Sequence, residues 1–157
     1  WRQQPGIDLD ADVPADLDKG LGFMGSHDFD QGIEDVEAII HWIRRERSVP
    51  KVGFIGYCMG GRVAYMAAAR TDVDVSVGYY GVAIDEMLGE KHAIANPLML
   101  HIPTADGFNP PEKQKAIHDG LDDHPRVTLH DYEGLDHGFA TEFGPLRAMR
   151  YPRFWPR

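Results

Sequence analysis

Cys58 is the only cysteine in the chain, and it stands in GYCMGG with Gly56 and Gly60 two residues to either side and Gly61 beyond. A thiol attacks carbon only as thiolate, so a catalytic cysteine needs a base to take its proton and an acid to orient that base. A lone cysteine is more often a small buried hydrophobe. Glycines at both flanking positions argue otherwise, because a nucleophile on a sharp turn between strand and helix needs small neighbours on either side. Such a turn also places the sulfur at a helix N-terminus, where free amides and the helix dipole favour the thiolate.

Eight histidines compete for the role of base. His101 falls inside an apolar run and reads as a core residue, while His118, His124 and His130 fall where solvation is the ordinary explanation. His137 differs, because it follows the last strand-like run in GLDHGF, a loop of small and polar residues. For the acid, Asp106 in TADGF directly follows another strand-like run. Asp131 and Asp136 stay open as rivals, although side chains adjacent in sequence, as at 136 and 137, usually diverge.

These residues need elements to bring them together. A helix is expected from Asp30 as N-cap, with Ile33, Val36, Ile39, Ile40 and Ile43 on one face and Arg44, Arg45 and Arg47 at its C-terminal end. Residues 51–57 form a short apolar run typical of a strand buried on both faces, and 62–70 read as a second helix. Further strands are expected over 74–80, 97–102 and 127–132. Between the last two lies NPPEKQKAIHDGL, where Asn109 can cap, Pro110 suits the first helical position, and Glu112 completes a capping box. Strands alternating with helices imply an α/β fold with a mostly parallel sheet and flanking helices. The segment 1–29, with Pro5, Pro14 and aspartates at 8, 10, 12, 16 and 18, reads as an acidic loop. Residues 145–157, broken by Pro145, Pro152 and Pro156, read as an irregular tail.

Composition narrows the function classes. The 157 residues make one domain, and 43% apolar content suffices for a core. A formal charge of −9 with no basic stripe argues against nucleic acid as a partner. No apolar run approaches the roughly 18 residues of a membrane span, so no membrane partner is expected. One cysteine cannot form an internal disulfide, which fits a reducing compartment and makes the cytoplasm the expected location.

GYCMGG, GYYG at residues 78–81, TADGFNP and DHGFA together resemble the dienelactone hydrolase family, a cysteine-nucleophile branch of the α/β-hydrolases, over residues 1–143. Nucleophile, acid and base follow the chain order of that fold. The resemblance implies Cys58 as nucleophile, Asp106 as acid and His137 as base. It also implies an oxyanion contact from the Met59 amide and a pocket lined by Tyr79, Tyr80 and Phe139. The substrate it implies is a lactone or small carboxylic ester, as for carboxymethylenebutenolidase, with no metal or organic cofactor.

Two departures qualify the resemblance. Thr141 stands where an arginine for a substrate carboxylate is expected. The family's opening strands, with the loop that gives the second oxyanion amide, have no counterpart in these residues, so an incomplete hydrolase domain is expected. Loss of one oxyanion donor costs on the order of 100- to 1000-fold in turnover. The competing readings are a catalytically impaired hydrolase-like fold acting as a binding or structural module, and a redox-active thiol, the latter weakened by the absence of a resolving cysteine.

Overall fold

A computed structural model describes residues 4–10 and 13–141. Trp1 and the tail expected over 145–157 lie outside the described residues. Four strands form one parallel sheet in the order β1-β2-β3-β4: Gly53–Tyr57, Val75–Tyr79, Leu98–Pro103 and Val127–Tyr132. Strand order follows chain order, so each crossover carries the chain one strand along and every carboxyl end opens on the same edge of the sheet. The four expected strands are all present, within a residue or two of their expected bounds.

The helices are α1 (Pro14–Gly25), α2 (Phe29–Arg47), α3 (Met59–Arg70) and α4 (Pro111–Leu121), with a 3-10 segment over Asp85–Ala93. Alternation along each strand sends Phe54, Leu98, Leu100 and Ile102 to one face. There they pack with Ile33 and Ile40 of α2, Tyr65 to Ala68 of α3, and Ile117 and Leu121 of α4. Complete burial of each large side chain in this layer stabilises the fold by about 1.5–3 kcal/mol. Arg70 ties the layer at its surface, reaching Asp30 of α2 and both carboxylate oxygens of Glu90 at 2.6 Å.

The opposite face carries Ile55, Tyr57, Val75, Tyr79, His101 and His130. Among the described residues it is largely open, with Ile55 56% exposed and Val75 40%. This corrects the expectation that β1 is covered on both faces. Four rings in matched register cross this face: Tyr57 stacks on Tyr79 at 5.1 Å, Tyr79 on His101 at 4.1 Å, and His101 on His130 at 5.4 Å.

Several boundaries differ from expectation. The segment read as loop contains α1, opened by Pro14 in its first turn and by Asp16, which complements the helix dipole. It buries no residue, which is why its sequence lacks an apolar stripe. Asp28, not Asp30, caps α2, its side chain accepting from the Gln31 amide at 3.0 Å. Pro110 holds the N-cap position of α4 and Pro111 follows, so no side chain caps that helix and the expected capping box is not formed. The helix expected over 62–70 begins at Met59, directly after the cysteine, because the turn itself starts it.

Candidate functional site

Cys58 is the residue between β1 and α3, with φ 55° and ψ −118°, a conformation that L-residues rarely adopt. Its amide donates to the Tyr79 carbonyl at 3.0 Å, which extends the β1–β2 ladder by one bond into the turn. Met59 opens α3, so its amide is among the first-turn donors that lack an intrahelical acceptor.

The glycines around this turn have different jobs. A Cβ on Gly56 would lie 1.8 Å from the Gly60 carbonyl oxygen, so strand and helix can close this tightly only if position 56 has no side chain. Gly60, by contrast, meets nothing within 4 Å, and the expectation that it must be small for space is not met among the described residues. A Cβ on Gly61 would fall 2.6 Å from the Gly81 Cα and 2.7 Å from the Tyr79 carbonyl oxygen. GYYG is therefore in part a landing site, with Gly78 and Gly81 letting α3 rest on the end of β2.

Asp106 and His137 meet across the carboxyl ends of β3 and β4. His137 Nδ1 lies 3.0 Å from Asp106 Oδ2 and 3.1 Å from Oδ1. Asp106 also accepts from the Phe108 amide at 2.8 Å and from Asn109 Nδ2 at 2.9 Å. Burial pushes the Asp106 pKa up, but the bonds from His137, Asn109 and Phe108 outweigh it and hold the group below the ordinary carboxylate range. Asn109 bonds onward to the Gly81 carbonyl at 3.1 Å, tying the acid's loop to the loop after β2. Asn109 is thus not the helix cap expected of it, since Pro110 holds that position. The signal that it serves the carboxylate instead is the two prolines after it, which let the helix start without a side-chain cap.

The rival aspartates are placed elsewhere. Asp131 accepts from His118 Nε2 at 3.1 Å, and His118 Nδ1 is bonded to Asp122 at 2.9 Å, so His118 bridges α4 to β4 rather than lying solvated. Asp136 accepts from the His137 amide at 2.6 Å and from the Gly107 amide at 3.4 Å, which sets the loop that presents the imidazole. His101 is 8% exposed and bonded through Nδ1 to the Tyr132 hydroxyl at 2.7 Å, a satisfied interior residue as expected. Thr141 turns back on its own loop, its hydroxyl donating to the Gly138 carbonyl at 2.8 Å.

Cys58 lies near enough to His137 to act on its titration. Burial lowers the ring's pKa, yet the Asp106 bond and the nearby Cys58 sulfur raise it further, to about 9. Cys58 therefore favours the imidazolium. Nε2 is buried, with no hydrogen-bond partner of good geometry among the described residues. Aromatic rings enclose the imidazole: Phe108 at 4.6 Å and Tyr80 edge-on at 4.8 Å, with Phe139 packing on Tyr80 at 5.6 Å and on Tyr79 at 6.2 Å. Among the described residues, no group of three or more His, Cys, Asp or Glu is placed to hold a metal ion. None of their helices is long and apolar enough to cross a membrane.

A nucleophilic side chain, an imidazole and a carboxylate brought to one edge of a parallel sheet can support covalent acyl transfer. Comparison with known proteins points the same way. Residues 8–151 match the profile of the Dienelactone hydrolase family. The chain is 34% identical to carboxymethylenebutenolidase 1 of Cupriavidus pinatubonensis over 92% of its own length and 62% of that protein's. It is also 34% identical to the carboxymethylenebutenolidase of Pseudomonas putida, over 88% of the chain and 59% of that enzyme. It thus spans about three fifths of the length of the curated relatives it matches. A crystal structure from Klebsiella pneumoniae subsp. pneumoniae, named for dienelactone hydrolase, superposes with a TM-score of 0.64 at 19% identity, covering 71% of this chain and 51% of that one. The fold is therefore that of the α/β-hydrolases.

Proposed function

The chain belongs to the dienelactone hydrolase family, and on that premise we propose that it serves the hydrolysis of lactones or small carboxylic esters through a Cys58–His137–Asp106 triad. The carrying observation is the Asp106–His137 pair, bonded at 3.0 Å, with the far ring nitrogen buried and without a partner among the described residues, and Cys58 near enough to raise the ring's pKa. An imidazole held in that way has its outer nitrogen reserved for a proton that comes and goes.

In this reading Cys58 gives its proton to His137 Nε2 and attacks the carbonyl carbon. The sulfur–carbon bond forms while the carbonyl electron pair moves onto oxygen, and the Met59 amide donates to that oxygen. The tetrahedral adduct collapses to a thioester as the carbon–oxygen bond breaks, and the leaving alkoxide takes the proton from His137. In a lactone the leaving oxygen stays tethered to the acyl chain. Water, deprotonated by His137, then cleaves the thioester, releasing the carboxylic acid and restoring the thiol. Asp106 holds the ring by Nδ1 throughout and stabilises its cationic form. Tyr79, Tyr80, Phe108 and Phe139 give an aromatic wall suited to a flat, small acyl group.

The test is single-turnover acylation with p-nitrophenyl acetate, followed by mass analysis of the peptide that contains Cys58. The proposal expects an acetyl group on that peptide and none after Cys58→Ala. A chain that never acylates, yet keeps a cooperative unfolding transition, would instead make it a hydrolase-like binding module.

A further inference from the structure

We infer that the Tyr80 hydroxyl is a catalytic donor, giving a hydrogen bond to the oxyanion that forms when Cys58 attacks a carbonyl carbon; the inference rests on the thioester route above. Tyr80 follows the last residue of β2, beside the turn that carries Cys58, whose amide bonds to the preceding carbonyl, that of Tyr79. Its own amide is held by the His101 carbonyl at 2.9 Å, so the backbone is fixed between β1 and β3.

Three observations single out this phenol. Tyr80 has φ 39°, a left-handed conformation costly for an aromatic residue, and the fold maintains it at the edge where the candidate nucleophile and base meet. It is 2% exposed, yet its hydroxyl is buried with no hydrogen-bond partner among the described residues. Buried hydroxyls are ordinarily bonded, so an orphaned one at this edge is a donor awaiting an acceptor. Its ring stands edge-on to His137 at 4.8 Å and 6.1 Å from Tyr57, which places it within the aromatic wall of the site.

Burial, and after it the electrostatic influence of Cys58, pushes the Tyr80 pKa up, so the phenol keeps its proton and remains a donor through the working range. During attack no proton leaves Tyr80. The S–C bond forms, the carbonyl electron pair moves onto oxygen, and that oxygen accepts from the phenol and from the Met59 amide together.

Two reactions of the same sulfur separate this role from a structural one. Acylation by p-nitrophenyl acetate passes through an oxyanion, whereas alkylation by iodoacetamide does not. In Tyr80→Phe the single-turnover acylation rate is expected to fall about 100-fold, with alkylation of Cys58 unchanged and half-saturation by the ester little moved. The deleted oxygen has no partner among the described residues, so the variant is expected to unfold at the same or higher temperature, and a native alkylation rate reports an intact turn. Acylation equal to the parent chain overturns the inference and leaves the thioester route standing. Equal slowing of both reactions also overturns it, assigning Tyr80 to the sulfur's placement instead. A parent chain that never acylates overturns the route and the inference together.

Discussion

The site is assembled from two regions built on opposite terms. Cys58 stands at the end of β1, the edge strand of the described sheet, where Ile55 is 56% exposed and Tyr57 45%. Asp106 follows β3, an inner strand whose Leu98 and Leu100 are each 1% exposed, and its carboxylate takes bonds from three groups. Among the described residues, His137 Nε2 and the Tyr80 hydroxyl are buried without hydrogen-bond partners, as is Asn109 Oδ1 beside the acid. The candidate acid is enclosed and its carboxylate fully engaged, while the candidate nucleophile is half-buried and held at φ 55° on a strand with an open face. Orientation needs rigidity and a fixed charge, which burial and hydrogen bonds supply; the reacting atoms need unspent bonding capacity.

The sharpest way to break this contrast is Cys58→Ala. Hydrolysis of activated esters is expected to fall by at least about 1000-fold, with no loss of folded structure by circular dichroism, since a half-exposed sulfur contributes little packing. A chelator should leave the parent rate unmoved, and loss of activity on chelation would point to a metal-bound water instead.

Asp106→Asn attacks the enclosed side. It keeps the shape but removes the charge that favours the imidazolium, and acylation should slow by about 100- to 10,000-fold. The same pair makes stability depend on pH. Folding raises the His137 pKa from 6.5 to about 9, so the folded state holds a proton that the unfolded state releases earlier. The stability gained is complete below pH 6.5 and is lost as pH rises through about 9. Urea midpoints should decline over that window in the parent chain and stay flatter in the variant.

Two glycine substitutions sharpen the account of the turn. Gly56→Ala drives a methyl group into backbone at 1.8 Å, where nothing flexible can yield, and should cost about 3 kcal/mol or more in denaturant unfolding. Gly60→Ala meets nothing within 4 Å and sits in the first turn of α3, so it should be neutral or stabilising by up to about 1 kcal/mol.

The smallest effect concerns the open face. Ile55 and Tyr57 lie on β1, the edge strand among the described residues, with exposed Val75 on the neighbouring strand, an arrangement that invites association. Light scattering on the 157-residue chain should show species larger than a monomer, and Ile55→Lys should shift them toward monomer. A monodisperse parent chain with one cooperative transition would show that this face needs no cover.

β3 and α2 were legible because buried elements write their period into the sequence: LMLHIP is apolar but for His101, and Ile33 and Ile40 are two turns apart on one buried face. α1 was not, because no packing selects an apolar stripe there. The 3-10 segment was missed for a related reason, since among its residues only Met87 is buried and Glu90 serves Arg70. At the site, residue types and chain order singled out Cys58, Asp106 and His137. Choosing among three aspartates needed geometry, because the bonds that send Asp131 to His118 and Asp136 to its own loop cross between elements. The bond from Asn109 to Asp106 spans only three residues and was hidden because asparagine before proline also reads as a cap.

The contact between Gly61 and Gly81 has a consequence for how such a sequence can drift. A Cβ at position 61 would meet the Gly81 Cα at 2.6 Å, and one at position 81 would meet the Gly61 carbonyl carbon at 2.8 Å. Each position is blocked by the other's main chain, so neither can be rescued by a smaller partner, because none exists. A side chain at either site has to lift the start of α3 from the end of β2, and Cys58 moves with it. The two loci are bound in a reciprocal veto: mutational paths that alter the pocket can run through Tyr79 and Tyr80 between them, while the frame around those tyrosines stays fixed.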